Sequence, residues 1–298
     1  MGRMDLSSVS SGRRRDPYRV GIYGPPGAGK TRFAAGAPAC VVIPVEDGAG
    51  RYDATAFPRP ATWQDVKDAI RELRTGKHQF KTLALDTIDA AEPLCWKHVA
   101  QAAGKADVEA FGYGKGYQAA ADEFRVLLAD LEALQAERGM NVILSCHAAV
   151  RSFKNPTGDD YDRWTLRLHE KAAAAVKDWV EALLFATHDD LAAKGDGGKT
   201  MGVSTGRRLL RTRHSAGYEA KSRIDLPDPI VLSADPTKNW DAFAAEAEVG
   251  TMPHKELLAA FAAAVGENAK AKEWHASGKA AEASEADLRA ALRQLRRK

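Results

Sequence analysis

The stretch Gly24-Pro25-Pro26-Gly27-Ala28-Gly29-Lys30-Thr31 decides the fold of this 298-residue chain. It fits the phosphate-binding pattern G-x-x-x-x-G-K-[ST] at every fixed position, and the apolar segment Arg19–Tyr23 precedes it. A helical pattern begins at Thr31 and stops before Pro38. The glycines let backbone N–H groups converge on phosphates, and the helix start adds the positive end of its dipole. This context favours a nucleotide site over a glycine turn that matches by chance.

The residues of this loop have different expected roles. Lys30 is expected to reach the β- and γ-phosphates of ATP, and the hydroxyl group of Thr31 is expected to ligate Mg²⁺. The predicted nucleotide-binding set is Gly24, Pro25, Pro26, Gly27, Ala28, Gly29, Lys30, Thr31 and the next residue, Arg32. The expected cofactors are therefore ATP and Mg²⁺.

Two acidic positions follow later predicted strands. Asp86 closes the strand Thr82–Asp86, where a carboxylate beside the loop can hold the Mg²⁺ shell; its alternative role is the N-cap of the next helix. Glu46 follows the strand Cys40–Val45 and can activate the water that attacks the γ-phosphate. Asp47 competes for this role, and ordinary turn residues are the further alternative. We therefore predict Asp86 as a metal ligand and Glu46 as the catalytic base.

The rest of the chain alternates short apolar segments with helical ones, which indicates an α/β fold with a mainly parallel sheet. The further predicted helices are Trp63–Arg74, Tyr117–Glu137 and a helix whose last residues are Ala172–Lys177. The further predicted strands are Asn141–Cys146, Trp179–Ala186 and the two strands of a hairpin, Met201–Arg213 and Tyr218–Arg223. Composition divides the chain into a disordered basic arm (1–17), a P-loop core (18–249) and a small, basic helical extension (250–298).

Composition also limits the class of protein. Hydrophobic residues make up 45% and charged residues 28%, and no apolar run reaches the roughly 18 residues of a membrane helix. The N-terminus has no apolar secretory segment and the three cysteines are far apart, so we expect a cytoplasmic protein with reduced thiols and no membrane partner. Residues 1–19 carry five arginines against two aspartates, and residues 289–298 carry five basic groups. Such ends contact nucleic acid or serve as solvated tails.

The other motifs narrow the kind of P-loop protein. The N-K-x-D motif of GTPases does not occur, and Arg151–Arg167, a possible Arg-rich kinase lid, also carries three aspartates. The RecA-like group remains, in which a P-loop, a catalytic glutamate, a second acid, a polar sensor and a late basic finger follow in order. His147, after the strand Val142–Cys146, takes the place of the sensor. Its chemistry alone would fit a structural histidine better.

The sequence resembles the phage-encoded RecA-like ATPases among the AAA-type nucleotide-binding proteins, a family that includes single-strand annealing recombinases. The resemblance spans roughly residues 18–232, and its carrying segments are Ile22–Thr31, Glu46–Gly48, Leu85–Thr87, Gly112–Tyr117, Asn141–Leu144 with His147, and Ala220–Arg223. It implies a RecA-like core that binds single-stranded DNA in an ATP-dependent way. It also implies a role in phage recombination or annealing inside a bacterial host, together with a phage single-strand-binding protein.

We further expect a homo-oligomer, either a ring or a filament, because fingers that act on a neighbouring subunit require ATP at subunit boundaries. Lys221 and Arg223 alternate on one strand and therefore share a face. Such cations late in a RecA-like core resemble fingers that reach the γ-phosphate of ATP bound to the neighbouring subunit, where they assist catalysis. Ordinary solvated basic residues on an exposed strand are the alternative.

Three segments offer contacts to DNA. The loop Gly112–Tyr117 combines aromatic rings for base stacking with a lysine for phosphate, and a plain linker is its alternative. By the resemblance, Ala148–His169 corresponds to a mobile DNA loop. Arginines at 207, 208, 211 and 213 form the densest basic patch of the core, with protection of an edge strand as the alternative. The predicted DNA-binding residues are Tyr113, Lys115, Tyr117, Arg151, Lys154, Arg163, Arg207 and Arg211.

Two other functions stay open from sequence alone. A ring-type DNA motor (a helicase or a packaging ATPase) shares these motifs, although 298 residues leave little room for the further domain that such motors usually carry. A regulator that binds ATP without hydrolysing it would keep the P-loop, and Glu46 would then be dispensable. The leading prediction is an ATPase that single-stranded DNA stimulates.

Overall fold

The computed structural model describes residues 9, 16–46, 54–194, 200–266 and 268–296. Almost all of the predicted arm (1–17) and the competing base Asp47 lie outside these residues. The described chain divides into two compact units. The larger unit consists of Pro17–Arg223 and Pro227–Phe243, and the smaller one consists mainly of residues 224–226 and 244–296. The domain boundaries at 18 and 250 stay predictions.

Strands and helices alternate through the larger unit. The described strands are β1 (Arg19–Gly24), β2 (Cys40–Pro44), β3 (Thr55–Ala56), β4 (Thr82–Asp86), β5 (Asn141–Phe153), β6 (Tyr161–Leu166), β7 (Ala182–Lys194), β8 (Thr200–Arg211), β9 (Lys221–Ser222) and β10 (Ile230–Val231). The described α-helices are α1 (Lys30–Ala35), α2 (Trp63–Thr75), α3 (Ile88–Ala102), α4 (Lys115–Arg138), α5 (Glu170–Trp179), α6 (Asn239–Thr251), α7 (His254–Ala264), α8 (Ala269–Ala276), α9 (Lys279–Glu282) and α10 (Glu285–Arg296).

The centre of the sheet is parallel. Strand β1 lies between β5 and β7 and pairs in parallel with both. Parallel pairing continues from β5 through β4 and β2 to β3. On the other side, β7, β8 and β10 pair antiparallel, while β6 and β9 add antiparallel partners to β5 and β7. This architecture confirms the predicted α/β fold with a mainly parallel sheet.

Apolar side chains explain why these segments fold as they do. Central parallel strands are covered on both faces, and all five residues of β4 are accordingly buried. Helix α4 repeats apolar residues at helical spacing, and Phe124, Leu127 and Leu131 are fully buried in the core. Gly139, with φ 64°, adopts the left-handed conformation that ends this helix.

The predicted hairpin of Met201–Arg213 with Tyr218–Arg223 is wrong. Both segments pair with β7 instead: β8 pairs along Phe185–Lys194, and β9 pairs with the first two residues of β7. The reason is the length of β7, which runs for 13 residues where the apolar pattern predicted only Trp179–Ala186. One edge of such a long strand has room for two successive partners.

The strand after α4 is also longer than predicted. Strand β5 continues to Phe153, so His147 lies inside the strand and not at its end. It pairs with β1 as far as His147 and with β6 from the next residue onward. The segment Ala148–His169, expected as a loop, is therefore largely a β-hairpin. The loop Gly112–Tyr117 is shorter than expected, because α4 already begins at Lys115.

The smaller unit has an apolar core of its own, and its helices confirm the predicted helical C-terminal extension. Leu257 and Phe261 of α7 are buried together with Leu288 and Leu292 of α10. Arg289 is buried as well and donates hydrogen bonds to backbone oxygens and to a carboxylate of this unit. The predicted basic tail therefore begins inside a folded helix. Within the described residues, none of the helices combines the length and the apolar character needed to cross a membrane.

Candidate functional site

The P-loop joins the end of β1 to the start of α1. Gly24 is the last residue of β1, and α1 begins at Lys30. Gly27 (φ 79°) and Gly29 (φ 98°) adopt the left-handed conformation that glycine tolerates without strain. A Cβ atom at Gly24 would lie 2.1 Å from the backbone oxygen of Ala186, so the approach of β7 requires glycine there. Backbone conformation at Gly27 and Gly29, and the close approach of β7 at Gly24, thus explain why the motif has glycine at these positions.

Lys30 lies folded into the loop that precedes it. Its Nζ donates hydrogen bonds to the backbone oxygens of Gly24 (2.9 Å) and Pro25 (3.1 Å), and the residue is 7% exposed. Burial lowers the pKa of Lys30, and the carboxylate of Asp86 opposes this shift. The ammonium group is therefore held by neutral oxygens, which the phosphates of a nucleotide can replace.

A cavity of about 370 Å³ opens beside the loop. Residues of the loop and of the first turn of α1 line one part of it, and polar side chains from distant segments line the rest. The lining residues are Pro26, Gly27, Gly29, Lys30, Thr31, Arg32, Glu46, Thr87, His147 and Arg208. The fold thus brings the predicted Lys30, Thr31, Glu46 and His147 to one cavity.

Asp86, the last residue of β4, is 1% exposed. It accepts a hydrogen bond from the hydroxyl group of Ser145 on the neighbouring strand β5. The N-cap of α3 is Thr87 and not Asp86, which removes the capping alternative for this carboxylate. A buried carboxylate that attracts Lys30, at the end of a strand, suits a Mg²⁺ ion that keeps several of its waters.

His147 lies between two carboxylates. Its Nε2 is 3.6 Å from Oε1 of Glu46, and its Nδ1 is 3.1 Å from Oδ2 of Asp89. The backbone N–H of His147 also donates to Asp89 (3.0 Å). Asp89 belongs to the first turn of α3, and its side chain is 1% exposed. The imidazole is therefore fixed on one side and faces the predicted catalytic base on the other.

Arg167 completes this group of charges. Its Nε donates to Oδ2 of Asp89 (2.8 Å), and its Nη2 lies 3.0 Å from Nδ1 of His147. Burial by itself would raise the pKa of Asp89, but the hydrogen bonds from His147 outweigh it and hold the pKa well below its usual range. Because Arg167 directly follows β6, this network connects the P-loop cavity to the β5–β6 hairpin.

The predicted fingers do not lie at the cavity of their own chain. Strand β9 carries Lys221 and pairs with the beginning of β7, whereas the P-loop follows the end of β1, which runs parallel to β7. The lining residues of the cavity include neither Lys221 nor Arg223 among the described residues. Burial, together with the charge of Arg223, lowers the pKa of Lys221. Arg223 is exposed and donates to the backbone oxygen of Asp178 (3.1 Å).

Several predicted DNA contacts have partners within the chain. They are Arg151 (backbone oxygen of Leu168, 2.7 Å), Arg163 (Glu219, 2.7 Å, and the ring of Phe153), Lys154 (Asp160), Arg207 (Asp189, 2.5 Å) and Tyr117 (Glu109, with its ring stacked on His169). Arg163 is the most enclosed of these cations, with 18% of its side chain exposed. Tyr113, by contrast, is fully exposed, and Lys115 is the first residue of α4.

Arg211 lines a second cavity, of about 420 Å³, between the β5–β6 hairpin and the β7–β8 pair. The rings of Trp164, Phe185 and Tyr218 line the same cavity. Trp164 is 36% exposed, and its ring stacks on Phe185 at 6.2 Å between centroids. The second cavity thus combines an accessible aromatic face with a guanidinium group.

Sequence reasoning missed three residues of the first site. Thr87 and Asp89 follow Asp86 closely and read as ordinary residues of a helix start. The sequence identifies Arg208 only as one member of a basic patch. The order of apolar and polar residues does not show that β8 passes beside the P-loop. The signal for Asp89 was available: it lies one helical turn beyond a predicted metal ligand, near the end of a parallel strand.

The model of a family described as an AAA domain matches residues 16–224 of this chain, which is more than half of its length. The matched span contains the P-loop, Glu46, Asp86, His147 and Arg208. No curated protein matches the chain.

Proposed function

The chain belongs to the AAA domain family, and on this basis we propose that it is an ATPase that hydrolyses ATP with Mg²⁺ in the P-loop cavity. The observation that carries the proposal is the convergence of Lys30, Glu46 and His147 on one cavity from three distant segments. A cation for the phosphates and a carboxylate for the attacking water are the groups that this reaction requires.

The residues present fit a nucleotide and its metal ion. Lys30 already bonds to neutral loop oxygens, and Thr31 lines the cavity. Thr31 and Asp86 would hold Mg²⁺, which supplies charge neutralisation on the β- and γ-phosphates when it is bound. The left-handed glycines leave the backbone N–H groups of the loop free of side-chain obstruction.

Glu46 acts as the general base in this proposal. It takes a proton from water while the water oxygen bonds to the γ-phosphorus, and the bond from that phosphorus to ADP breaks with its electron pair on ADP. His147 faces Glu46 at 3.6 Å and restricts where the carboxylate points. Lys30 neutralises charge on the transferred phosphoryl group.

Two substitutions test the proposal. Lys30→Ala should abolish ATP binding, measured by calorimetry, because the phosphate-facing cation is lost. Glu46→Gln should keep ATP binding but lower kcat by about 10²–10⁴-fold, since it removes a general base without changing the size of the side chain. If Glu46→Gln hydrolyses ATP at the normal rate, another group, such as Asp47, is the base. If Lys30→Ala also hydrolyses ATP at that rate, the activity comes from a contaminating enzyme.

We also propose that single-stranded DNA is the partner of this ATPase, in a homo-oligomer of the RecA-like type that serves phage recombination or annealing. Two features support DNA binding. The second cavity offers the ring of Trp164 for base stacking and Arg211 for a phosphate. The network of Glu46, His147, Asp89 and Arg167 gives the β5–β6 hairpin a physical link to the nucleotide.

The rate of ATP hydrolysis with and without single-stranded DNA tests this partner. We expect strong stimulation, and Trp164→Ala should weaken it at a temperature where the variant is still folded, because the accessible part of the ring contributes stacking to DNA. A rate that does not respond to single-stranded DNA would contradict the DNA proposal. If hydrolysis is absent altogether, a regulator that only binds ATP is the better explanation.

A further inference from the structure

Two polar side chains that the proposed reaction does not use meet at Gly29. The point where a Cβ atom of residue 29 would lie is 3.1 Å from Nη1 of Arg208 and 3.2 Å from Nδ2 of Asn239. Gly29 also has φ 98°, which disfavours any other residue. The absence of a side chain therefore lets a guanidinium group and an amide approach the backbone of the P-loop.

Arg208 reaches this point from the sheet. It lies on β8 opposite His188 of β7, is half-buried, and lines the P-loop cavity. Its Nη2 donates to the backbone oxygen of Ser233 (3.2 Å), which fixes one edge of the guanidinium group. The other edge, with Nη1, lies toward Gly29. No carboxylate within the described residues forms an ion pair with Arg208.

Asn239 provides an independent observation. It is the first residue of α6 and is fully buried, and within the described residues neither Nδ2 nor Oδ1 of its side chain has a hydrogen-bond partner. Buried amides are almost always satisfied, because an unpaired polar group loses its hydration without replacement. An unsatisfied amide beside a phosphate-binding loop therefore points to a ligand that supplies the missing partner.

We propose that Arg208 and Asn239 bind the diphosphate part of the nucleotide, from the same chain that carries the P-loop. In a P-loop the backbone around Gly29 surrounds the α- and β-phosphates, so cationic and amide donors at Gly29 meet the same oxygens. This inference rests on the proposed nucleotide site and identifies a further part of it. Because ADP and ATP share the diphosphate, Arg208 and Asn239 should strengthen the binding of both nucleotides equally. A finger that contacts the γ-phosphate would strengthen the binding of ATP alone.

The test measures ADP and ATP binding by calorimetry on the full chain without DNA. Arg208→Ala should weaken both by about 10–100-fold and by the same factor, as expected for loss of a charge-assisted hydrogen bond. Arg71→Ala, which removes an equal charge at an exposed position on α2, should leave both affinities unchanged. Unchanged ADP affinity in Arg208→Ala, or a loss confined to ATP, would overturn the proposal.

Thermal melting separates binding from folding. Asn239→Leu should leave the melting temperature without nucleotide unchanged or higher, because an apolar side chain of similar size replaces an unpaired buried amide without leaving a cavity, and should reduce the increase caused by ADP. A lower melting temperature with a normal response to ADP would make Asn239 structural and overturn its role. If the unaltered chain binds neither ADP nor ATP, the proposed function itself fails. If the unaltered chain binds both and Arg208→Ala binds them with the same affinities, only this inference fails.

Discussion

His147 shows how one residue acquires a role from neighbours that the sequence places far away. Its ring lies between Glu46 and Asp89, and Arg167 neutralises Asp89 from the side of the β5–β6 hairpin. Because the pKa of Asp89 is held low, this carboxylate stays charged at all ordinary pH values. A charged, buried Asp89 orients the imidazole, and the imidazole in turn restricts Glu46. Asp89 is thus a positioning residue.

Asp89→Asn tests this positioning role. The amide keeps the size of the side chain but weakens its hydrogen bonds to His147 and Arg167, so the imidazole is less well oriented. We expect kcat to fall by about 10–100-fold while the KM for ATP and the affinity for ADP stay unchanged. Equal losses in kcat and in ADP affinity would indicate a general disturbance of the cavity instead.

Glu92 gives a pH dependence at the same scale. Both carboxylate oxygens of this buried residue of α3 share one bifurcated hydrogen bond from the backbone N–H of His169, yet burial raises the pKa of Glu92 to about 7. Since the folded pKa lies above the unfolded value, Glu92 favours folding at pH 4 and loses this contribution as the pH rises through about 7.

Glu92→Gln removes that dependence. The neutral amide still accepts from His169 but does not ionise, so the free energy of unfolding at pH 8 should rise by about 1–3 kcal/mol relative to the unaltered chain. At pH 5, where Glu92 of the folded chain is protonated, the two proteins should differ much less in their free energy of unfolding. Denaturant unfolding at both pH values makes the comparison, and an equal difference at pH 5 and pH 8 would contradict the assignment.

At the scale of elements, the central strands were predictable and the outer ones were not. Strands β1, β2 and β4 lie within a parallel sheet and are buried on both faces, so their sequences are apolar runs that predict strands. The outer half of β7 contains His188, Asp189 and Asp190 and pairs with β8 outside that core. These polar residues follow the apolar run at the start of β7, so the sequence pattern does not mark the continuation of the strand.

The same limit explains which site residues were predictable. The P-loop and Glu46 follow apolar strands, Asp86 ends one, and His147 comes directly after the apolar part of β5; these positions meet at one edge of the parallel sheet. Arg208 and Asn239 reach the site through β8 and α6, whose placement depends on antiparallel pairing and on packing against α1. The spacing of apolar residues along the chain predicts neither this strand pairing nor this helix packing.

The position of β9 makes a prediction about assembly. Lys221 lies beside the beginning of β7, away from the P-loop of its own chain, so as a finger it could act only on ATP of another subunit. We expect Lys221→Ala/Arg223→Ala protein and Lys30→Ala protein to be inactive alone and to regain activity when mixed. At a mixed interface the first supplies an intact P-loop and the second supplies intact fingers. No recovery, despite co-assembly shown by sedimentation, would leave the two residues as solvated cations of an exposed strand.

At the scale of the whole molecule, the family match and the smaller unit concern different parts of the chain. The match ends at residue 224, whereas helices α7 to α10 follow it and pack around Leu257, Phe261 and Leu288. Membership in the family therefore implies nothing about these helices. Their sequence offers one testable feature, which is the positive charge at the C-terminal end.

Charge at that end must be tested without unfolding the smaller unit. Deleting residues 289–298 would remove the buried side chains of Arg289 and Leu292, so weaker DNA binding would have a trivial cause. Replacing Arg297 and Lys298 by serine avoids this, because these residues follow Arg296 in the sequence and the substitution leaves Arg289 and Leu292 in place. The matched control replaces Lys270 and Lys279, two exposed lysines of the same unit, and so removes an equal charge.

If the end contacts DNA, the log–log dependence of single-stranded DNA affinity on salt should flatten by about 1.4 in the Arg297→Ser/Lys298→Ser protein. This value follows from about 0.7 for each phosphate contact that is lost. The control pair should leave the slope unchanged, since a general change in net charge alters affinity without removing a phosphate contact. Fluorescence anisotropy with a labelled oligonucleotide at several salt concentrations measures both slopes. Equal slopes in the tail variant and the unaltered chain would assign this charge to solubility or to a protein partner, because release of counterions from DNA would then not involve it.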